Sequence, residues 1–324
     1  MEKKDLRIVY MGTPDFAVAP LKALLDAGCK VVGVITNPDK PAGRGQKIQE
    51  SAVKKFAVQQ GLTILQPDKF RNPDFLEELQ ALNADLQVVV AFKMLPEVVW
   101  SMPSKGTVNL HASLLPQYRG AAPINWAIIN GDKESGVSTF LLQHEIDTGS
   151  VIFQEKVQIG ENDTAEDLHD QLMEVGSELI VKTVRAIEAN EHPQTPQSEL
   201  ISEDATIKMA PKIFKEDCHI DWTKSIDNIH NHIRGLSPYP AAWTELQPSD
   251  EGAKKINMKV FVTRKEYTEH SESIGAILTD GKNYLKIAVN GGFLSILELQ
   301  IAGKKRMPVQ DFLRGFQQIK NYHL

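Results

Sequence analysis

Short apolar runs and amphipathic stretches alternate through the first half of the chain. Leu6–Met11 predicts a strand, and Thr13-Pro14-Asp15 opens a helix, with proline near its first turn, that runs to Ala27–Gly28. Lys30–Thr36 (KVVGVIT) predicts a second strand, followed by a long loop rich in glycine, proline and basic residues. Leu62–Leu65 predicts a short third strand, Asn72–Leu82 a helix, and Asp85–Phe92 and Thr107–His111 two further strands. Continuous Val/Ile/Leu runs separated by helices are what parallel strands covered on both faces require. Gly136–Leu142 and Val151–Ile159 predict a late strand pair across a turn at Asp147–Gly149. Thr164, with Asp167 three residues on, caps the longest helix, whose Leu168, Leu172, Val175 and Leu179 form a core stripe.

The pattern changes after Ala189. Residues 190–208 are polar, hold two prolines and have no periodicity, which predicts a linker. Beyond a short helix over Asn228–Arg234 come short strands at Met258–Thr263, Gly275–Thr279, Leu285–Val289 and Phe293–Leu299, with glycine-rich turns between them. That succession predicts a small β-barrel. The expected architecture is α/β: a Rossmann-like, mostly parallel sheet over residues 1–189, a linker over 190–208, and an OB-like barrel over 209–324. At 324 residues the chain is long enough for two cores.

Composition adds few surprises. Hydrophobic residues make up 42% and charged residues 24%, as in ordinary soluble proteins. No apolar run approaches the roughly 18 residues of a membrane span. The opening MEKKDLRIVYMG passes from charge into a strand without an apolar leader core, so a cytoplasmic location is expected. Cys29 and Cys218 are the only cysteines and lack any CxxC partner, so free thiols are expected. A net charge of −6 argues against a dedicated nucleic-acid binder. Its distribution is uneven: residues 1–208 carry 20 Lys and Arg against 29 Asp and Glu, residues 209–324 carry 16 against 13. A basic second part could meet a polyanion; a chance imbalance of surface lysines explains the split as well.

Several familiar sites are excluded. Gly12-Thr-Pro has one glycine where a dinucleotide fingerprint needs three, and Gly43-Arg-Gly45-Gln-Lys47 lacks the spacing of a phosphate loop. His230 and His232 face opposite ways on a helix, a poor start for a metal site. Asn109 and His111 are more informative. Two apart at the end of a predicted strand, they project from one face, where open parallel sheets bind ligands. An amide donor beside an imidazole can hold a carbonyl oxygen while a proton moves, though such a pair also serves as a plain hydrogen-bonded strand end. Asp147, in His144-Glu-Ile-Asp147-Thr-Gly149, could reach over the sheet edge towards the imidazole, or simply close an Asx turn onto Gly149.

Taken together, NLHASLLPQYRGAAPINWAIING and GVSTFLLQHEIDTG closely resemble the signature of the folate-dependent formyltransferases. The resemblance runs nearly end to end, through VYMGTPDFAVAPLKALLDAG, ITNPDKPAGRGQK, VVVAFKMLP and IRGLSPYPAAWT, and is strongest to members acting on methionyl-tRNA. It implies a formyl transfer from 10-formyltetrahydrofolate to the α-amine of initiator methionyl-tRNA, with Asn109, His111 and Asp147 as the catalytic set and no metal. It implies folate contacts at Ser113, Leu114, Leu115 and Pro116 and at Phe92 and Leu95, and tRNA contacts by Lys40, Arg44 and Lys47 of the loop after the second strand. Lys254, Lys255, Lys304, Lys305 and Arg306 are candidates for tracking the RNA backbone. Lys93 stands where the family usually has glycine, and His144-Glu145-Ile146 departs from the usual small-residue and Leu pattern. A family member formylating a small amine, such as a glycinamide nucleotide or an amino sugar, would need the same catalytic half. It would leave the basic second part and the Arg44 loop idle.

Overall fold

The computed structural model describes residues 6–42, 47–201, 206–249 and 254–324. In chain order, the first ten strands are β1 (Arg7–Gly12), β2 (Lys30–Ile35), β3 (Lys40–Ala42), β4 (Lys47–Gln49), β5 (Ile64–Leu65), β6 (Leu86–Val90), β7 (Thr107–His111), β8 (Arg119–Gly120), β9 (Glu134–Leu141) and β10 (Val151–Gln158). The helices among and after them are α1 (Val18–Asp26), α2 (Ala52–Gln59), α3 (Pro73–Ala81), α4 (Glu97–Trp100), α5 (Pro123–Ile129) and α6 (Ala165–Ala189). The main sheet has the order β10-β9-β7-β6-β1-β2-β5. β1 pairs in parallel with β2 and β6, β6 with β7, and β2 with β5; β9 then runs antiparallel to β7. The sheet is thus mostly parallel, as the continuous apolar runs predict.

Both faces are buried along β6, whose five residues are all core, and Val9, Met11, Ile35, Val89, Phe75 and Leu79 form one cluster with Val99. Because β1, β2, β6 and β7 are parallel, they end at one edge of the sheet, and the chain leaves that edge after Gly12, Ile35, Val90 and His111. Gly12 lets β1 leave closely packed: a Cβ there would sit 2.6 Å from the Ala17 Cβ and 3.2 Å from the Val90 carbonyl oxygen. Thr164 and Asp167 form the expected capping box, Thr164 N–H donating to Asp167 Oδ2 at 2.8 Å and Asp167 N–H to Thr164 Oγ1 at 3.2 Å. Leu168, Leu172 and Leu179 of α6 are buried.

Several details differ from the sequence reading, the short helices α4 and α5, a strand over Ala242–Pro248 and a short helix over Val309–Gly315 among them. The flanks of the loop after β2 pair as a ribbon, Lys40 opposite Gln49 and Pro41 opposite Ile48. A two-stranded ribbon carries no apolar face, and Ile48 is indeed 72% exposed, so periodicity gives no sign of it. α2 was also not anticipated; Ser51 caps it by accepting from Lys54 N–H at 3.0 Å.

The described residues to Gly120, with Ser135–Val157 and His169–Met209, form one compact unit. Ala121–Glu134, Gln158–Leu168 and Ala210–Leu324 form the other, so the units interleave along the chain. β11 (Met209–Ala210) falls at the boundary, and the second unit contains α7 (Ile226–Gly235), β12 (Ala242–Pro248), β13 (Ile256–Tyr267), β14 (Ile277–Thr279), β15 (Leu285–Val289), β16 (Gly292–Ile301), β17 (Met307–Pro308), α8 (Val309–Gly315) and β18 (Tyr322–His323). Its sheet, ordered β14-β15-β16-β13-β12-β18, curls into a nearly closed antiparallel barrel, and the single turn Gln317–Asn321 touches both edge strands. Ile226, Ile229 and Ile233 of α7 pack into its core with Val260, Ile287, Leu294 and Phe312. No described helix is long and apolar enough to cross a membrane.

Candidate active site

β7 delivers the two residues singled out at the sheet edge. His111 is 7% exposed, and its Nε2 lies 2.9 Å from the Tyr118 carbonyl oxygen. A carbonyl can only accept, so Nε2 carries the hydrogen and Nδ1 of the neutral ring keeps a lone pair. That Nδ1 lies 4.0 Å from Asp147 Oδ2, and the ring meets Phe140 edge-on with centroids 6.5 Å apart. Asn109, two residues back on the same face, is half-buried. Its side chain has no hydrogen-bond partner among the described residues, so its donors are free for a bound molecule.

Asp147 is 9% exposed and held at φ 56°, the left-handed region that aspartate tolerates better than most residues. Its Oδ2 accepts from Gly120 N–H at 3.0 Å, so the carboxylate reaches across to β8 and the alternative of an Asx turn onto Gly149 falls away. Gly149 is required for another reason. A Cβ there would lie 1.6 Å from the Leu141 carbonyl oxygen. The side chain of Gln197, from the segment that reads as a linker, lies under the same turn. Gln197 follows Pro193 and Pro196 in a polar stretch without periodicity, so no sequence pattern marks it as buried.

The remaining candidates divide by burial. Phe92 and Leu114 are half-buried, while Leu95, Leu115 and Pro116 are buried. Ser113 is fully buried: its Oγ donates within its own loop to Gln117 O at 2.6 Å, and its carbonyl accepts from Ser138 Oγ of β9 at 2.6 Å. Leu115 is held by its backbone, N–H donating to Ser138 Oγ at 3.0 Å and O accepting from Gln154 Nε2 at 2.9 Å. Ala91, where β6 has just ended, is exposed with φ 46°. Next to it the Lys93 ammonium lies 4.5 Å from the Phe70 ring centroid. Burial pushes the Lys93 pKa down, and the Lys40 cation pushes the same way.

Lys40 is exposed in β3. Arg44 lies outside the described residues, and of Lys47 only the backbone, in β4, is described. In the barrel unit Arg306 is committed to Glu298 at 2.6 Å and lies over Phe261, and Lys255 is 3.9 Å from Glu245. Lys254, Lys304 and Lys305 are exposed. Among the described residues no group of three or more His, Cys, Asp or Glu could hold a metal ion. Both cysteines are buried and free.

Residues 6–184 match the family model described as formyl transferase, and residues 212–317 the one described as formyl transferase, C-terminal domain. The methionyl-tRNA formyltransferase of Parabacteroides distasonis is 57% identical over 323 residues, 99% of each chain. That of Phocaeicola vulgatus is 58% identical over 322 residues, again 99% of each chain. The crystal structure of the N-formyltransferase from Helicobacter canadensis, in complex with folinic acid and dTDP-3-aminofucose, aligns with a TM-score of 0.63. That alignment covers 90% of this chain and 98% of the other at 22% identity, a likeness of fold.

Proposed function

The chain belongs to the formyltransferase family, and we propose that it transfers the formyl group of 10-formyltetrahydrofolate to the α-amino group of initiator methionyl-tRNA, giving formyl-methionyl-tRNA. The observation that carries this reading is the 57–58% identity, over 99% of both chains, to enzymes named for that acceptor. The reading that the acceptor is an amino sugar rests on likeness of fold at 22% identity. The unit built on the mostly parallel sheet, which takes in Gln197 of the stretch that reads as a linker, then supplies the catalysis, and the barrel unit the tRNA contacts, in a cytoplasmic enzyme of translation initiation.

The geometry supports a definite division of labour. The acceptor α-amine titrates near ~7.7–8.0 in model compounds, so a useful neutral fraction is present at pH 7. As its nitrogen bonds to the formyl carbon, negative charge develops on the formyl oxygen, and the free amide of Asn109 donates to it. Nδ1 of His111, its other nitrogen occupied by Tyr118, accepts the proton that the attacking nitrogen loses. Asp147, at 4.0 Å, stabilises the imidazolium so formed. His111 then gives the proton to the folate nitrogen as its bond to the formyl carbon breaks. Half-buried Phe92 and Leu114 offer apolar surface for the folate at this strand edge, buried Leu95 and Pro116 back it, and Ser113 and Leu115 shape the loop from within. Lys40, Arg44 and Lys47 contact the tRNA, whose phosphates their charge suits.

Incubation with 10-formyltetrahydrofolate and charged initiator tRNA tests the reading. Formyl-methionine on the tRNA is the expected product. Transfer to a nucleotide-linked amino sugar, with none to tRNA, would overturn it.

A further inference from the structure

We infer that Gln197 is a positioning residue for the formyl transfer: it braces Asp147 against the segment that orients His111. Gln197 is 4% exposed, and its amide is saturated. Nε2 donates to two carbonyls of the catalytic turn, Asp147 O at 2.8 Å and Gly149 O at 2.9 Å. Oε1 accepts twice from one guanidinium, Arg119 Nε at 3.0 Å and Nη2 at 2.7 Å. Two donors and two acceptor sites are all that a primary amide has.

The position of Arg119 gives these bonds their meaning. The residue before it, Tyr118, holds His111 through its carbonyl, and the residue after it, Gly120, holds the Asp147 carboxylate through its N–H. Gln197 therefore ties the middle of the segment that grips both catalytic side chains to the backbone of Asp147 itself. The brace closes a loop of contacts around the 4.0 Å gap between His111 Nδ1 and Asp147 Oδ2. Coulomb stabilisation varies with distance, and a backbone at φ 56° needs its surroundings to hold it, so this is where a small relaxation would reach the chemistry. The segment carrying Gln197 is itself anchored: Thr195 exchanges both backbone hydrogen bonds with Val151, at 2.8 and 2.9 Å.

The inference rests on the assignment of Asp147 to the mechanism, and a double-mutant cycle separates the two. Gln197→Ala removes the brace. Gln197→Glu keeps an acceptor for Arg119 but turns oxygen, in place of N–H, towards the carbonyls of Asp147 and Gly149, so it damages the turn while sparing the tie to Arg119. Both variants are expected to lower kcat about 10- to 100-fold while the KM for each substrate changes less than about threefold. Gln197→Glu, which keeps the tie to Arg119, is expected to fold with a lowered melting temperature, and Gln197→Asn to recover no more than part of the rate. In an Asp147→Asn background, Gln197→Ala is expected to cost less than about threefold further, because the group it positions is already disabled. If the two effects multiply instead, Gln197 acts elsewhere and the inference is overturned. Parent-like kcat in Gln197→Glu overturns it as well, even if Gln197→Ala does not fold. If Asp147→Asn alone is as active as the parent, the assignment of Asp147 fails first, which is a different result.

Discussion

Asn109→Ala removes a donor that the folded protein does not use for itself. The side chain is half-buried and unpartnered among the described residues, so its truncation should change stability by no more than about 0.5 kcal/mol. On the proposed mechanism it loses the hydrogen bond to the oxygen of the transferring formyl group. A preorganised donor in that place is worth roughly 3–4 kcal/mol, which is about 10²- to 10³-fold in kcat. Asn109→Asp sharpens the argument because it keeps the shape, removes the donor and adds a negative charge. At an effective dielectric constant of about 20, a like charge about 4 Å away opposes the developing oxyanion by about 4 kcal/mol, on top of the lost donor. The expected order of rates is therefore parent, then Asn109→Ala, then Asn109→Asp. Single-turnover transfer from 10-formyltetrahydrofolate to methionyl-tRNA, with both substrates saturating, reads this without interference from product release. Asn109→Ala within about threefold of the parent would refute the role, as would Asn109→Asp reacting faster than Asn109→Ala.

Gly149→Ala should prevent the catalytic turn from closing, since its Cβ would lie 1.6 Å from a backbone oxygen; a soluble, fully active variant would contradict the geometry. In the barrel unit, burial, with Lys265 and Arg234 adding to it, pushes buried His230 down to about 4 from an ordinary 6.5. The unfolded chain then takes up a proton below pH 6.5 that the folded chain refuses until about pH 4, so His230 removes stability as pH falls through that window. The loss should reach about 2 kcal/mol at pH 5. Urea unfolding of His230→Asn should show a flatter profile between pH 7.5 and 5, and an identical profile would refute the shift. Exposed Lys40, with no ion-pair partner among the described residues, should lose one phosphate contact as Lys40→Met. The slope of log KM for tRNA against log salt should then fall by about 1, and an unchanged slope would remove Lys40 from the interface.

The parts of the fold written in hydrophobic periodicity were legible. β1 and β6 announce themselves by continuous apolar runs because both faces of those strands are buried, and α6 by its leucine stripe and capping box. The β3–β4 ribbon has no buried face to leave such a trace. The site was legible in part. Side-chain alternation along a strand explains why Asn109 and His111 share a face, whereas Asp147 could be drawn towards them only by resemblance, since its own motif reads as a local turn. The contact that takes the Asp147 carboxylate beyond its own turn, to Gly120, spans 27 residues. Gln197 lies 50 residues from Asp147 and 78 from Arg119, in a stretch without periodicity. Hydrogen-bond saturation of one buried amide is a property of three-dimensional closure, and no local pattern encodes it.

The central claim is that the free amide of Asn109 and the imidazole of His111 at the end of β7 formylate an amine carried on tRNA. It is tested most directly by offering the protein 10-formyltetrahydrofolate with equal concentrations of initiator methionyl-tRNA and a nucleotide-linked amino sugar, and identifying which amine becomes formylated. The account predicts formyl-methionyl-tRNA as the dominant product, abolished by His111→Ala in a protein that still folds. Formylation of the sugar alone, or tRNA formylation that survives His111→Ala, would contradict it.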